Sequence, residues 1–190
     1  MLQLQQPFTI NQTIHMNQFY LKRATLLMLS FYFITAIQSQ TCPSLGSINY
    51  QKWNSITGTT VASLTSNAKY PNSPSVSGTL TSFEIPSNSA NNYGMKVYGW
   101  ICPPATGNYI FWIASDDAAE LWLSTTSSAA NKVKIAYNTA YINSKQWTKY
   151  ATQKSVAISL TAGTKYYVEA LMKEGTGNDN LTVGWAKPGQ

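Results

Sequence analysis

The sequence predicts an all-β protein, an antiparallel two-sheet β-sandwich, on three observations. From Tyr93 onward, apolar and polar residues alternate along short segments. Gly, Pro and Asn turns such as PPATGN (103–108) and TAGT (161–164) separate those segments. Charged residues are only 11% of the 190, Ser, Thr, Asn, Tyr and Gly are abundant, and no long stretch carries a helical apolar stripe. An apolar share of 44% is enough for one domain's core.

The elements follow in order. Residues 43–92 are rich in Ser, Thr, Asn and Pro, with apolar marks at Val61, Leu64, Leu80, Phe83 and Ile85. They read as extended loops with one or two strands. YGMKVYGWIC (93–102) places Tyr93, Met95, Val97 and Ile101 on one face. YIFWIAS (109–115) is a continuous apolar and aromatic run, which predicts a central strand buried on both faces. AELWLS (119–124) and KVKIAY (132–137) alternate, with Lys132 and Lys134 on a solvated face. SVAISL (155–160), KYYVEALMK (165–173) and NLTVGWA (180–186) complete the set before Pro188. Trp112, Trp122 and Trp185 fall at strand positions and are expected in the core. Tyr141 and Trp147 lie in the long polar connection 138–154.

Residues 1–39 read as a leader. Lys22 and Arg23 precede the apolar run ATLLMLSFYFITAI (24–37), and polar Gln38-Ser39-Gln40 follows. This is the layout of a secretory signal, with cleavage expected after Ser39 and a signal-anchor as the alternative. Met16 is a candidate start, because MNQFYLKR makes an ordinary basic n-region. The mature domain is then 40–190, secreted, with no membrane insertion.

Charge excludes further classes. The formal charge is +6, but Lys22 and Arg23 belong to the leader and Arg23 is the only arginine. The remaining lysines are scattered, so no basic stripe forms and no nucleic-acid partner is expected. His15, the single histidine, is also in the leader. A mature domain without imidazole has no Ser-His-Asp or Cys-His catalysis and no His-ligated zinc. Cys42 and Cys102 are the only cysteines, and in an exported domain they are candidates for one disulfide. Closing that loop is worth roughly 4 kcal/mol in the chain-entropy model. Two free buried thiols are the alternative.

Five stretches occur in a telling order: Thr106-Gly107-Asn108-Tyr109, Ser115-Asp116-Asp117, Glu120-Leu121-Trp122-Leu123, Ala162-Gly163-Thr164 into the Lys165–Lys173 strand, and Lys173-Glu174-Gly175 through Trp185. From about Tyr50 to Pro188 the chain resembles the protective-antigen-type domain family. The resemblance implies a β-sandwich used as an accessory module in secreted adhesins, toxins and glycosidases, several of them calcium-dependent lectins.

Asp116 and Asp117 are adjacent at the end of the aromatic strand. In a trans strand their side chains diverge, whereas a cis peptide between them turns both toward one point. The resemblance implies that geometry here, with calcium held by both carboxylates. Calcium takes six to eight oxygens. The Glu174–Asn180 loop is the expected source of the rest, with Asp179 first and Asn178 second. Vicinal sugar hydroxyls would complete the shell, and Trp147 or Tyr141 would line the rim, with ordinary loop packing as the alternative for Trp147. The expected partners are glycans or glycoproteins. Asn180-Leu181-Thr182 is the only glycosylation sequon after the leader, so Asn180 is a candidate acceptor. Glu120, Glu169 and Glu174 are the candidate acids for glycoside hydrolysis, but a small sandwich offers no deep cleft, and no enzyme activity is expected. The other reading is a structural or protein-adhesion domain with a calcium site and no glycan ligand.

Overall fold

The computed structural model describes Cys42 and residues 46–190. The expected signal segment, the Met16 start and the cleavage after Ser39 lie outside the described residues. Among the described residues nine strands form: β1 (Ile48–Asn54), β2 (Val76–Leu80), β3 (Tyr93–Ile101), β4 (Gly107–Asp116), β5 (Ala118–Ser124), β6 (Lys132–Asn138), β7 (Ile158–Leu160), β8 (Tyr166–Glu174) and β9 (Asn180–Ala186). All pair antiparallel, in a six-stranded sheet ordered β2-β1-β3-β8-β5-β6 and a three-stranded sheet ordered β7-β4-β9. This is the two-sheet all-β architecture that alternation and turn chemistry predict. Among the described residues no helix is long and apolar enough to cross a membrane.

The core lies between the sheets. Met95 and Val97 of β3, Val168, Ala170 and Met172 of β8, and Leu121 and Leu123 of β5 point inward from the larger sheet. Tyr109, Phe111 and Ile113 of β4 and Leu181 of β9 meet them. Trp185 packs beside Tyr109 and Phe111, at ring separations of 5.1 and 5.8 Å. Between β1 and β2 lies one short helix, α1 (Val61–Thr65), capped by the Thr60 hydroxyl, which accepts from Ser63 N at 3.2 Å. Its Leu64 seats on bare backbone at Gly94, where a Cβ would lie 2.5 Å from the leucine methyl.

Two expectations are corrected. The β4 run is not buried on both faces. Ile110 and Trp112 are only half-buried, because a three-stranded sheet has little chain to cover its outer side. Trp112 and Trp122 likewise are not core. Period two turns them outward between Phe111 and Ile113 and between Leu121 and Leu123. Lys154 lies over the Trp112 ring, and Lys132 and Lys134 lie near the Trp122 ring.

Cys42 and Cys102 are joined by a disulfide at the end of β3. That end of the sandwich also holds Gly107, Gly163 and Pro188: Gly163 N donates to Pro103 O, and a Cβ on Gly107 would strike Pro188. The opposite end collects Tyr93, Asp116, Glu174 and Asn180, through the registers Tyr93↔Glu174 and Asp116↔Asn180.

Candidate functional site

β4 ends at Asp116 and β5 begins at Ala118, so the chain crosses from one sheet to the other through Asp117 alone. The Asp116–Asp117 peptide is cis. The crossing is held from three sides. Ser115 Oγ donates to Asn180 O at 2.9 Å, and Ile142 N donates to Ser115 O at 3.0 Å. Asn138, the last residue of β6, directs its amide nitrogen at Ser115 O, Asp117 O and Ala140 O, at 2.7–3.0 Å.

Glu174 closes the cluster. It continues the inward parity of Val168, Ala170 and Met172 to the last position of β8, and it is fully buried. One carboxylate oxygen each from Asp116, Asp117 and Glu174 lie within 4.8 Å of one another. The sequence places Glu174 at the head of the candidate loop and offers it as a possible catalytic acid rather than as a ligand. An acid at a core-facing parity was the available signal. The next residue must be small, because a Cβ on Gly175 would approach Thr59 to 2.8 Å and Asp117 Oδ2 to 3.2 Å. Gly175 N donates to that same Oδ2 at 3.0 Å.

The expected loop ligands are arranged differently. Asp179 is buried, and its carboxylate is already taken. It accepts from Ser89 N on both oxygens at 2.9–3.0 Å, from Ser89 Oγ at 3.0 Å and from Ala90 N at 2.9 Å. Its work is to strap residues 88–92 along the 175–180 loop, where Asn88 and Asn92 adopt left-handed backbone that Asn tolerates. Asn178 is exposed. Asn180 is 7% exposed, and its amide nitrogen donates to Ile142 O at 3.0 Å. In the folded domain that nitrogen is engaged at the wall of the site.

Trp147 is not at the rim. Its ring packs on β9 at Gly184, where a Cβ would lie 3.3 Å from it. Gly184 sits four residues from Asn180, about 13 Å along the strand. Tyr141 is better placed, because it precedes Ile142, whose amide holds Ser115. Tyr141 is 56% exposed, with Lys149 Nζ 3.6 Å above its ring and donating to its carbonyl at 2.7 Å.

The electrostatics describe crowded anions. Burial pushes Glu174 up to about 7, and the charges of Asp117, Asp116 and Asp179 push the same way. Asp116 is also raised, by burial first and then by Asp117 and Asp179, with Lys149 opposing. Lys173, buried beside them, spends its ammonium on Gly58 O and Glu174 O rather than on a carboxylate, and burial lowers its pKa.

Among the described residues, four buried side-chain polar atoms have no hydrogen-bond partner: both carboxylate oxygens of Glu174, Asn138 Oδ1 and Asn180 Oδ1. All are acceptors, and all belong to residues that line or brace the Asp116–Asp117 crossing. Buried acceptors are ordinarily satisfied. Three converging carboxylates, one of them wholly unpaired, together with two unpaired amide oxygens fit an oxygen-seeking divalent cation.

The sequence model of the PA14 domain matches residues 55–190. The mouse N-acetyl-beta-glucosaminyl-glycoprotein 4-beta-N-acetylgalactosaminyltransferase 1 is 32% identical over 145 residues, which is 74% of this chain and 14% of that much longer protein. Among solved structures, the PA14 sugar-binding domain from an RTX adhesin superposes with a TM-score of 0.57 at 13% identity, covering 77% of this chain and 93% of that one. The Epithelial Adhesin 9 A domain of Candida glabrata, in complex with Galb1-4GlcNAc, gives 0.55 at 12% identity over 79% and 87%. The two solved structures establish likeness of fold. With the family match spanning strands β2–β9 and the site, the chain belongs to the PA14 domain family.

Proposed function

We propose that this domain is a secreted, calcium-dependent carbohydrate-binding module of lectin or adhesin type. The observation that carries the reading is the convergence of the Asp116, Asp117 and Glu174 carboxylates beside unpaired buried acceptors. Asp116, Asp117 and Glu174 would hold the ion, with the Asn138 and Asn180 amide oxygens at hand. Calcium supplies open coordination positions that accept vicinal hydroxyls. The protein's part is to hold the carboxylates together across the sheet-to-sheet crossing, through Asn138 and Gly175, and to offer the exposed Tyr141, next to the Ile142 amide that holds Ser115, as a contact for the sugar. The sugar-binding title of the RTX adhesin domain and the disaccharide complex of the yeast adhesin support the ligand class. The disulfide supports an oxidising, extracellular setting.

The reading is binding without turnover. Glu169 is engaged by Lys132 and the Tyr167 hydroxyl, and Glu120 by Lys134 and the Trp122 indole, all on the outer face of the larger sheet. A second reading is a purely structural ion, favoured by the burial of Glu174. Calorimetric titration of the chelator-stripped domain with calcium, then a glycan array in calcium and in chelator, separates the cases. Calcium uptake with chelator-sensitive glycan binding is expected. Calcium uptake with a blank array selects the structural reading, and no uptake defeats both.

A further inference from the structure

The two lateral openings of the sandwich are treated differently. On the β9 side, an extended strap closes the gap: Ile85 N donates to Leu181 O, Val183 N donates to Phe83 O, and Glu84 bridges Thr182. Phe83 and Ile85 turn into the core, and Glu84 turns out to meet Lys145 at 3.1 Å. On the other side, β6 pairs only with β5, and β7 only with β4. Between these free edges runs a cleft of about 600 Å³. Five successive residues of β6 (133–137) line it. Neighbouring side chains point to opposite faces, so the cleft meets the strand at its edge. Its walls are apolar, with Val133 and Ile135 facing Val156, Ile158 and Leu160. Val156 and Val133 are 81% and 56% exposed.

We propose that this cleft receives an extended segment of a partner protein in which apolar and acidic residues alternate, added as a further strand to β6. The inference is independent of the glycan site, which lies at the end of the sandwich. Edge strands offer unpaired backbone groups, and the Phe83-Glu84-Ile85 strap shows how this fold covers its other edge. Of the two charges at the cleft, Lys134 already pairs with Glu120, while Lys154, over the Trp112 ring, has no carboxylate partner among the described residues and is the cation left to an acidic segment.

The test uses the labelled domain in calcium and three eight-residue peptides: alternating Val and Glu, alternating Val and Lys, and the Val/Glu peptide with alternate amides N-methylated. The expected result is saturable binding of the Val/Glu peptide, with amide shifts confined to 132–138 and 154–160. Binding should be about tenfold weaker for the Lys peptide and for Val156→Asp, an exposed position that leaves the core intact. The N-methylated peptide should not bind. Lack of saturation at millimolar peptide, shifts elsewhere, equal binding of the N-methylated peptide, or self-association through β6 would each overturn the proposal.

Discussion

Glu169 and Glu174 stand on the same strand, both buried, and their surroundings are opposite. Glu169 faces the outer side of the larger sheet, where Lys132 Nζ lies 2.5 Å from one oxygen and the Tyr167 hydroxyl donates to the other at 2.7 Å. Glu174 faces inward at the strand end and has no hydrogen-bond partner on either oxygen. Asp179 resembles Glu169, its carboxylate filled by loop amides and a hydroxyl. Burial alone therefore does not mark a functional acid. What marks one is burial without a partner, next to other carboxylates that converge on the same point.

That contrast can be broken by experiment, and the largest effect belongs to the ion. Calcium at about a hundredfold its Kd should stabilise the domain by about 2.7 kcal/mol, raising Tm by about 5–10 °C. The Asp116→Asn/Asp117→Asn double variant should lose that shift, and calorimetry should find affinity at least about a hundredfold weaker. Asp179→Ala should cost about 2–4 kcal/mol in denaturant unfolding, because several charge-assisted bonds vanish. Its calcium affinity should stay within about tenfold of wild type, and a hundredfold loss would make Asp179 a ligand after all. In chelator near pH 8, Glu169→Gln should destabilise by about 1–2 kcal/mol, discounted because Lys132 reaches water. Glu174→Gln should stabilise under the same conditions, and a loss there would erase the distinction between the two glutamates.

The pH dependence follows the same logic. Glu174 is raised from 4.5 in the unfolded chain to about 7 when folded. Between those values the folded domain binds more protons, so the metal-free domain loses stability as pH rises from about 4.5 through 7. A Tm series from pH 5 to 8 in chelator should fall for wild type and flatten for Glu174→Gln. Calcium affinity should weaken as pH drops below 7, since the proton competes. The smallest contrast concerns the rim: Tyr141→Ala should weaken glycan binding about fivefold, a lost ring contact, and Trp147→Ala should leave it unchanged.

Much of this was legible in the sequence. Period-two alternation carries β3, β5, β6, β8 and β9, and the adjacent aspartates at the end of an aromatic run point to the site. Outward tryptophans were misread because an aromatic at a strand position looks the same on either face until parity is counted from a buried neighbour. Asp179 drew notice as the acid of a glycine-rich loop, yet its partners, Ser89 and Ala90, are some ninety residues away in sequence. Asn138 carries no local signal of its role, since its contacts depend on β6 ending beside the β4–β5 crossing. Tyr141 and Trp147 share one loop, and it is the Ile142–Ser115 hydrogen bond, with no local sequence signal, that ties the Tyr141 end of that loop to the crossing.

The disulfide and the Gly107–Pro188 contact put Cys42 and Pro188 at one end of the sandwich, with the carboxylate cluster at the other. Nine-residue strands separate the two ends by about 30 Å. A load between the two ends therefore runs along the strands. It shears the rungs of β3–β8 and β4–β9 together instead of peeling them one by one. The bond from Cys42 to Cys102 carries tension past β1 and β2 directly into β3. The site thus stands at the tip of a short, longitudinally stiff post.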